Sequence, residues 1–71
     1  MLGAEGIMDK VTPDQIKEAR LNAGLSQSAA AALVYRSTRN WQQWESGDRQ
    51  MDRAVWEFFL IKTRAVKSML A

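Results

Sequence analysis

Two residue types are missing altogether: the 71-residue chain has no cysteine and no histidine. Without cysteine there is no disulfide and no thiolate to act as nucleophile or metal ligand. Without histidine there is no imidazole for acid–base work or for metal binding. The aspartates and glutamates are scattered over helix starts and helix faces, with no paired-carboxylate motif and no Gly-rich phosphate loop. An enzyme is therefore the least expected class, and no metal or organic cofactor is expected. No apolar run approaches the roughly 20 residues of a membrane span. The opening stretch has neither the basic front nor the apolar segment of a secretory signal. The expected location is the cytoplasm. Strand signals are absent too, since no period-2 alternation and no hairpin dipeptide occurs. The class expected is all-α.

A chain of this length makes one small domain, whose single core stabilises it weakly. With disulfides and metals excluded, a partner subunit is the remaining common support. The net charge of +2 says little about partners by itself. Its distribution says more. From Tyr35 to Trp44 there are two arginines and no acid, and after Glu57 come Lys62, Arg64 and Lys67 with no acid. Residues 1–11 show little periodicity and read as a flexible N-terminal arm, with Met8 a possible alternative start; residues 12–71 form the domain.

The helices announce themselves by their ends. Thr12 can cap a first helix, with Pro13 at its first position and Gln15 at capping-box spacing. Ile16, Ala19 and Ala23 form its apolar stripe, and Gly24 stops it. Ser26 caps a slim, alanine-rich second helix over about 27–34. Tyr35 and Arg36 make a tight turn. Ser37 caps a third helix over about 38–46, with Gly47 as its stop. A polar loop runs to Met51, and Asp52 caps a fourth helix reaching at least Thr63. Residues 26–47 thus read as a helix-turn-helix.

At 100° per residue, Trp41 and Trp44 lie about 60° apart on the third helix and look inward. The opposite face carries Arg39, Gln42, Gln43 and Ser46, with Thr38 on its flank. That set suits the major groove of DNA. Arginine can bond guanine bidentately, glutamine can do so with adenine, and a threonine methyl can meet a thymine methyl. An ordinary solvated face is the alternative for any single residue, but such faces usually mix Glu and Lys.

The string Leu25-Ser26-Gln27, Ala31, Val34, then Trp41, Trp44-Glu45 and Gly47, with Arg20 ahead of it, resembles the XRE family, the Cro and lambda-repressor-like helix-turn-helix proteins. The resemblance covers most of residues 13–63. It implies a compact four-to-five-helix lambda-repressor-like domain binding double-stranded DNA. By position it assigns base reading to Ser37, Thr38, Arg39 and Gln43, with the outward Gln42 added from the helical wheel. It assigns phosphate contact to Gln27, Arg49 and Gln50, and Arg36 joins this set from the acid-free stretch. It makes Ala31 the small residue packed on the recognition helix and pairs Arg20 with Glu45 in a buried salt bridge. Independently, Arg20 falls on the apolar stripe of the first helix and Glu45 borders the inward face of the third, where unpaired charge is costly. Three departures stand out. Tyr35 occupies a position where glycine is usual and φ > 0 is common. Its ring would either reach a phosphate or pack in the core. Ala30 is smaller than usual, so Trp41 or Trp44 should fill that volume. The usual fifth helix is missing or fused into the fourth.

The fourth helix is apolar on several sides. Val55, Phe58, Phe59, Val66 and Met69 share one face, Trp56 and Leu60 another, and Ile61 and Ala65 a third. One small core cannot cover all of it, so a homodimer is expected, with Trp56, Leu60, Ile61 and Met69 supplying much of the interface. Adsorption to a membrane surface is the lesser alternative. A two-fold dimer sets two recognition helices roughly 34 Å apart and prefers an inverted-repeat (palindromic) operator. The function expected is transcriptional repression, with autoregulation, of a phage, prophage or mobile-element operon in the bacterial nucleoid. Small repressors encoded beside anti-CRISPR genes are similar. The alternative is an antitoxin, with a toxin or other protein as partner, or an interaction module using the same fold without specific DNA reading.

Overall fold

The computed structural model describes residues 10–70, with side chains through Arg64. Among the described residues there are four α-helices and no strand: α1 (Pro13–Asn22), α2 (Gln27–Leu33), α3 (Thr38–Ser46) and α4 (Arg53–Leu70).

Local chemistry sets the helix ends. At α1, the Thr12 hydroxyl accepts from the Gln15 N–H at 3.2 Å, and Gln15 Oε1 accepts from the Thr12 N–H at 2.9 Å. The N–H groups of Thr12 and Gln15 are thereby satisfied reciprocally. The hydroxyls of Ser26 and Ser37 each accept a backbone N–H three residues on, at 3.0 Å. Gly24 ends α1 at φ +72°, and the Leu25 N–H returns to the Arg20 carbonyl at 3.1 Å. At the end of α2 the same device recurs without a glycine. Tyr35 takes φ +61°, and the Arg36 N–H returns to the Ala31 carbonyl at 2.9 Å. Left-handed geometry costs a residue with a Cβ about 1–2 kcal/mol.

The core consists of Val11, Ile16, Ala30, Ala31, Val34, Trp41, Trp44, Met51 and Phe59. Trp41 is wholly buried, with the Phe59 ring 5.0 Å and the Trp44 ring 5.6 Å from its own, the latter edge-on. The two small alanines on α2 let α3 come close, and the indoles supply the bulk the alanines lack.

Two core members fall where the sequence reading expects arm and polar loop. Val11 is 3% exposed and Met51 is 1% exposed. Each directly precedes the residue that leads into a helix: Thr12, whose side chain caps α1, or Asp52, whose carbonyl accepts from the Trp56 N–H at 3.0 Å. Each has an apolar residue at the fourth helical position beyond it, Ile16 or Trp56. That is the spacing of a hydrophobic staple, which turns the entering chain back onto the helix. A single apolar residue carries no periodicity, so the staple is its only signal. Val11 therefore belongs to the packed domain; the arm expected over residues 1–11 otherwise falls on residues 1–9, which lie outside the described residues, and on the exposed Lys10.

Candidate nucleic-acid interface

The 3.6-residue period divides α3 cleanly. Trp41 and Trp44 are buried, while Thr38, Arg39, Gln42 and Ser46 are exposed and Gln43 is half-buried. Arg39, Gln42, Gln43 and Ser46 line one shallow groove open to solvent. Asp48, from the loop after Gly47, lines it too. The face of the helix is free of acids, as its sequence shows, but the tertiary structure sets a carboxylate on its rim.

A single buried carboxylate fixes α3 to the rest of the molecule. Glu45 accepts from Arg20 Nε at 2.6 Å and Arg20 Nη2 at 3.2 Å, a bidentate pair between α1 and α3. It also accepts from Trp41 Nε1 at 2.5 Å and from Gln27 Nε2 at 3.1 Å. Arg20 Nη1 donates in addition to the Leu25 carbonyl at 3.1 Å. Burial alone would push the Glu45 carboxyl up. The hydrogen bonds from Arg20, Trp41 and Gln27, together with the Arg20 charge, outweigh it and hold the group below its ordinary value. Glu45 therefore stays ionised at neutral pH.

The residues read as phosphate contacts are spread out, and two are engaged internally. Gln27 is half-buried: its Nε2 goes to Glu45, and its Oε1 accepts from Gln42 Nε2 at 3.3 Å. Gln50 Nε2 donates to the Val11 carbonyl at 2.9 Å, tying the loop after α3 to the entry of α1. The Arg36 guanidinium lies 5.9 Å from the Trp44 ring centroid, and Arg49 is exposed. The Ser37 hydroxyl caps α3, which leaves its O–H proton for another partner.

Tyr35 is 77% exposed, so the core position weighed for it is ruled out. Its ring stacks 6.1 Å from that of Phe58. Against both rings lies Lys62, which in the sequence alone is one more positive charge. Its Nζ donates to the Leu33 carbonyl at 2.9 Å and to the Tyr35 hydroxyl at 3.1 Å, and sits 4.4 Å and 4.7 Å from the Tyr35 and Phe58 ring centroids. Lys62 thus closes the end of α2 and holds Tyr35 in its left-handed geometry. The i, i+4 spacing of Phe58 and Lys62 was the one signal available.

Of the residues expected at a dimer interface, Trp56 is half-buried and packs on the protein's own core, and Leu60 is half-buried. Ile61 is 62% exposed, and Phe58 beside it 37%. Met69 lies outside the residues whose side chains are described. Among the described residues no helix is long and apolar enough to cross a membrane, and no His, Cys, Asp or Glu cluster could hold a metal ion. Compared with known proteins, the chain matches no family model and no curated protein.

Proposed function

We propose that the chain is a sequence-specific double-stranded-DNA-binding regulator of the XRE type, in which α2 and α3 act as a helix-turn-helix and α3 enters the major groove. The observation that carries this reading is the split of α3. Two tryptophans anchor one side, while Arg39, Gln42 and Gln43 stand on the other around an open groove, with Thr38 exposed at the start of the helix. Those side chains match the donor and acceptor patterns of guanine and adenine edges. Glu45 supports the reading as well. By binding Arg20, Gln27 and Trp41 it makes the reading helix rigid relative to α1 and α2, which lowers the ordering cost of docking.

The regulator acts as a homodimer on an inverted repeat. The exposed Ile61 and Phe58 on α4 support an interface there, and two-fold symmetry would space the reading helices by roughly one turn of DNA. Occupancy of such an operator represses transcription of the operon, including the regulator's own gene. Asp48 on the rim favours a second reading, an interaction module that meets a basic protein partner. Selection from a pool of random duplexes decides between them. The DNA reading expects a palindromic consensus and affinity that falls steeply with salt. A pool that returns no consensus rejects it.

A further inference from the structure

Tyr35 is strained and exposed at once. Its backbone takes φ +61°, where glycine is relaxed and a residue with a Cβ is not, yet its ring is 77% exposed and fills no core space. Such a residue persists only where its surroundings hold it. Packing holds it from within the chain: Val34 and Trp41 are buried on either side, and only Tyr35, Arg36 and Ser37 link the C-cap of α2 to the first residue of α3. Lys62 on α4 holds it from outside. Its Nζ grips the turn at two points, the Leu33 carbonyl before it at 2.9 Å and the Tyr35 hydroxyl on it at 3.1 Å. The last carbonyls of a helix lack intrahelical partners, and a cation suits the negative end of the helix dipole. The ammonium also lies over the Tyr35 and Phe58 rings, at 4.4 Å and 4.7 Å.

The turn in its turn carries the start of α3. The Arg36 N–H returns to the Ala31 carbonyl at 2.9 Å because Tyr35 is left-handed, the geometry that closes a helix end. Ser37, whose hydroxyl caps α3, follows directly, and Thr38 and Arg39 make the first turn. Gln42 and Gln43 stand further along, beside the buried Trp41 and Trp44 and the Arg20–Glu45 pair. The reading helix thus has two anchors. Core packing and Glu45 fix its trailing half, and the Lys62 clamp acts through the turn on its leading end.

We propose that Lys62, although it stands on α4 and not in the groove, is a positioning residue for DNA reading: by clamping the strained turn at Tyr35 it holds Thr38 and Arg39 in place to meet bases. The functional half of the inference rests on the DNA reading above; the clamp itself does not. A glycine at position 35 would need no clamp, so the role of Lys62 exists only because Tyr35 is there.

The test is a double-mutant cycle of Lys62→Met and Tyr35→Gly. Methionine keeps the apolar stem and removes the ammonium, and glycine adopts the left-handed turn unaided. In free protein, hydrogen exchange of the Arg36 amide reads the turn and that of the Trp44 amide reads the body of α3. Lys62→Met should speed Arg36 exchange about tenfold, the scale of the backbone strain left unsupported, and leave Trp44 unchanged. On the operator selected by wild type it should lower affinity by a similar factor. Base preference should relax where Thr38→Ala and Arg39→Ala relax it and stand where Gln42→Ala does. Adding Tyr35→Gly should restore both exchange and affinity, and should restore folding if Lys62→Met alone fails to fold. Equal losses in the tyrosine and glycine backgrounds overturn the proposal, since they mark packing rather than a held turn. Faster exchange at Arg36 and Trp44 alike overturns it too, as a general loss of stability. Faster Arg36 exchange with unchanged operator affinity keeps the clamp and overturns its part in reading. A wild-type pool without a consensus overturns the DNA reading and the role of Lys62 in it, while Arg36 exchange still decides the clamp.

Discussion

Replacing Glu45 by glutamine removes one charge and turns one acceptor oxygen into a donor while keeping size and shape. Its neighbours there are all donors: two N–H groups of Arg20, one of Gln27 and the indole of Trp41. The Arg20 and Glu45 side chains are only 11% and 7% exposed, so water replaces little of what is lost. Removing one partner of a buried pair costs about 3–5 kcal/mol. Arg20 keeps its bond to the Leu25 carbonyl, which argues for the lower end. A loss of about 3 kcal/mol at roughly 4–8 °C per kcal/mol lowers Tm by about 12–24 °C. The total stability of a domain this size is about 4–10 kcal/mol, so much of it goes. Thermal melting and urea unfolding at pH 7 measure the effect directly. The pH dependence supplies a second check. The Glu45 carboxyl lies lower in the folded protein than its ordinary value of 4.5, so in acid the unfolded chain binds more protons. The contribution of Glu45 is complete above that ordinary value and is lost as pH falls through the lower folded one. The gap between wild type and Glu45→Gln should therefore narrow in acid. A Tm drop under about 5 °C at pH 7, or a gap indifferent to acid, refutes the reasoning.

Arg39→Ala should relax base preference at one position and cost about 1–3 kcal/mol on the specific site, checked by titrating specific and random duplexes; equal losses on both would exclude base reading. Arg49→Ala should weaken all DNA alike and flatten the salt dependence, and an unchanged slope of log K against log salt would remove Arg49 from the backbone contacts. Tyr35→Gly and Tyr35→Ala lose the same ring contacts with Phe58 and Lys62, but only glycine is relaxed at φ +61°. Urea unfolding should therefore find the glycine variant about 1 kcal/mol more stable than the alanine one, and the reverse order would show that the turn does not hold that geometry. Light scattering at micromolar concentration should find dimers that Ile61→Glu dissociates; monomers in the wild type would reject the α4 interface.

What the chain's sequence determined by itself is whatever neighbouring residues decide. Caps act over three residues, so Thr12, Ser26, Ser37, Gly24 and Gly47 placed the helix ends. The 3.6-residue period alone turned Trp41 and Trp44 inward and Arg39 and Gln42 outward. Arg20 and Glu45 were legible because each sat on an apolar face with a charge to satisfy. Tertiary structure decided the rest, because the partners come from distant parts of the chain. Gln50 reaches Val11 across 39 residues, Lys62 reaches Leu33 across 29, and Gln27 reaches Glu45 across 18. A glutamine in sequence is equally ready to face DNA, water or a carboxylate. Only the packing of α2 against α3 presented Gln27 with a buried acceptor, and only the return of α4 past the end of α2 gave the strained Tyr35 a lysine to hold it.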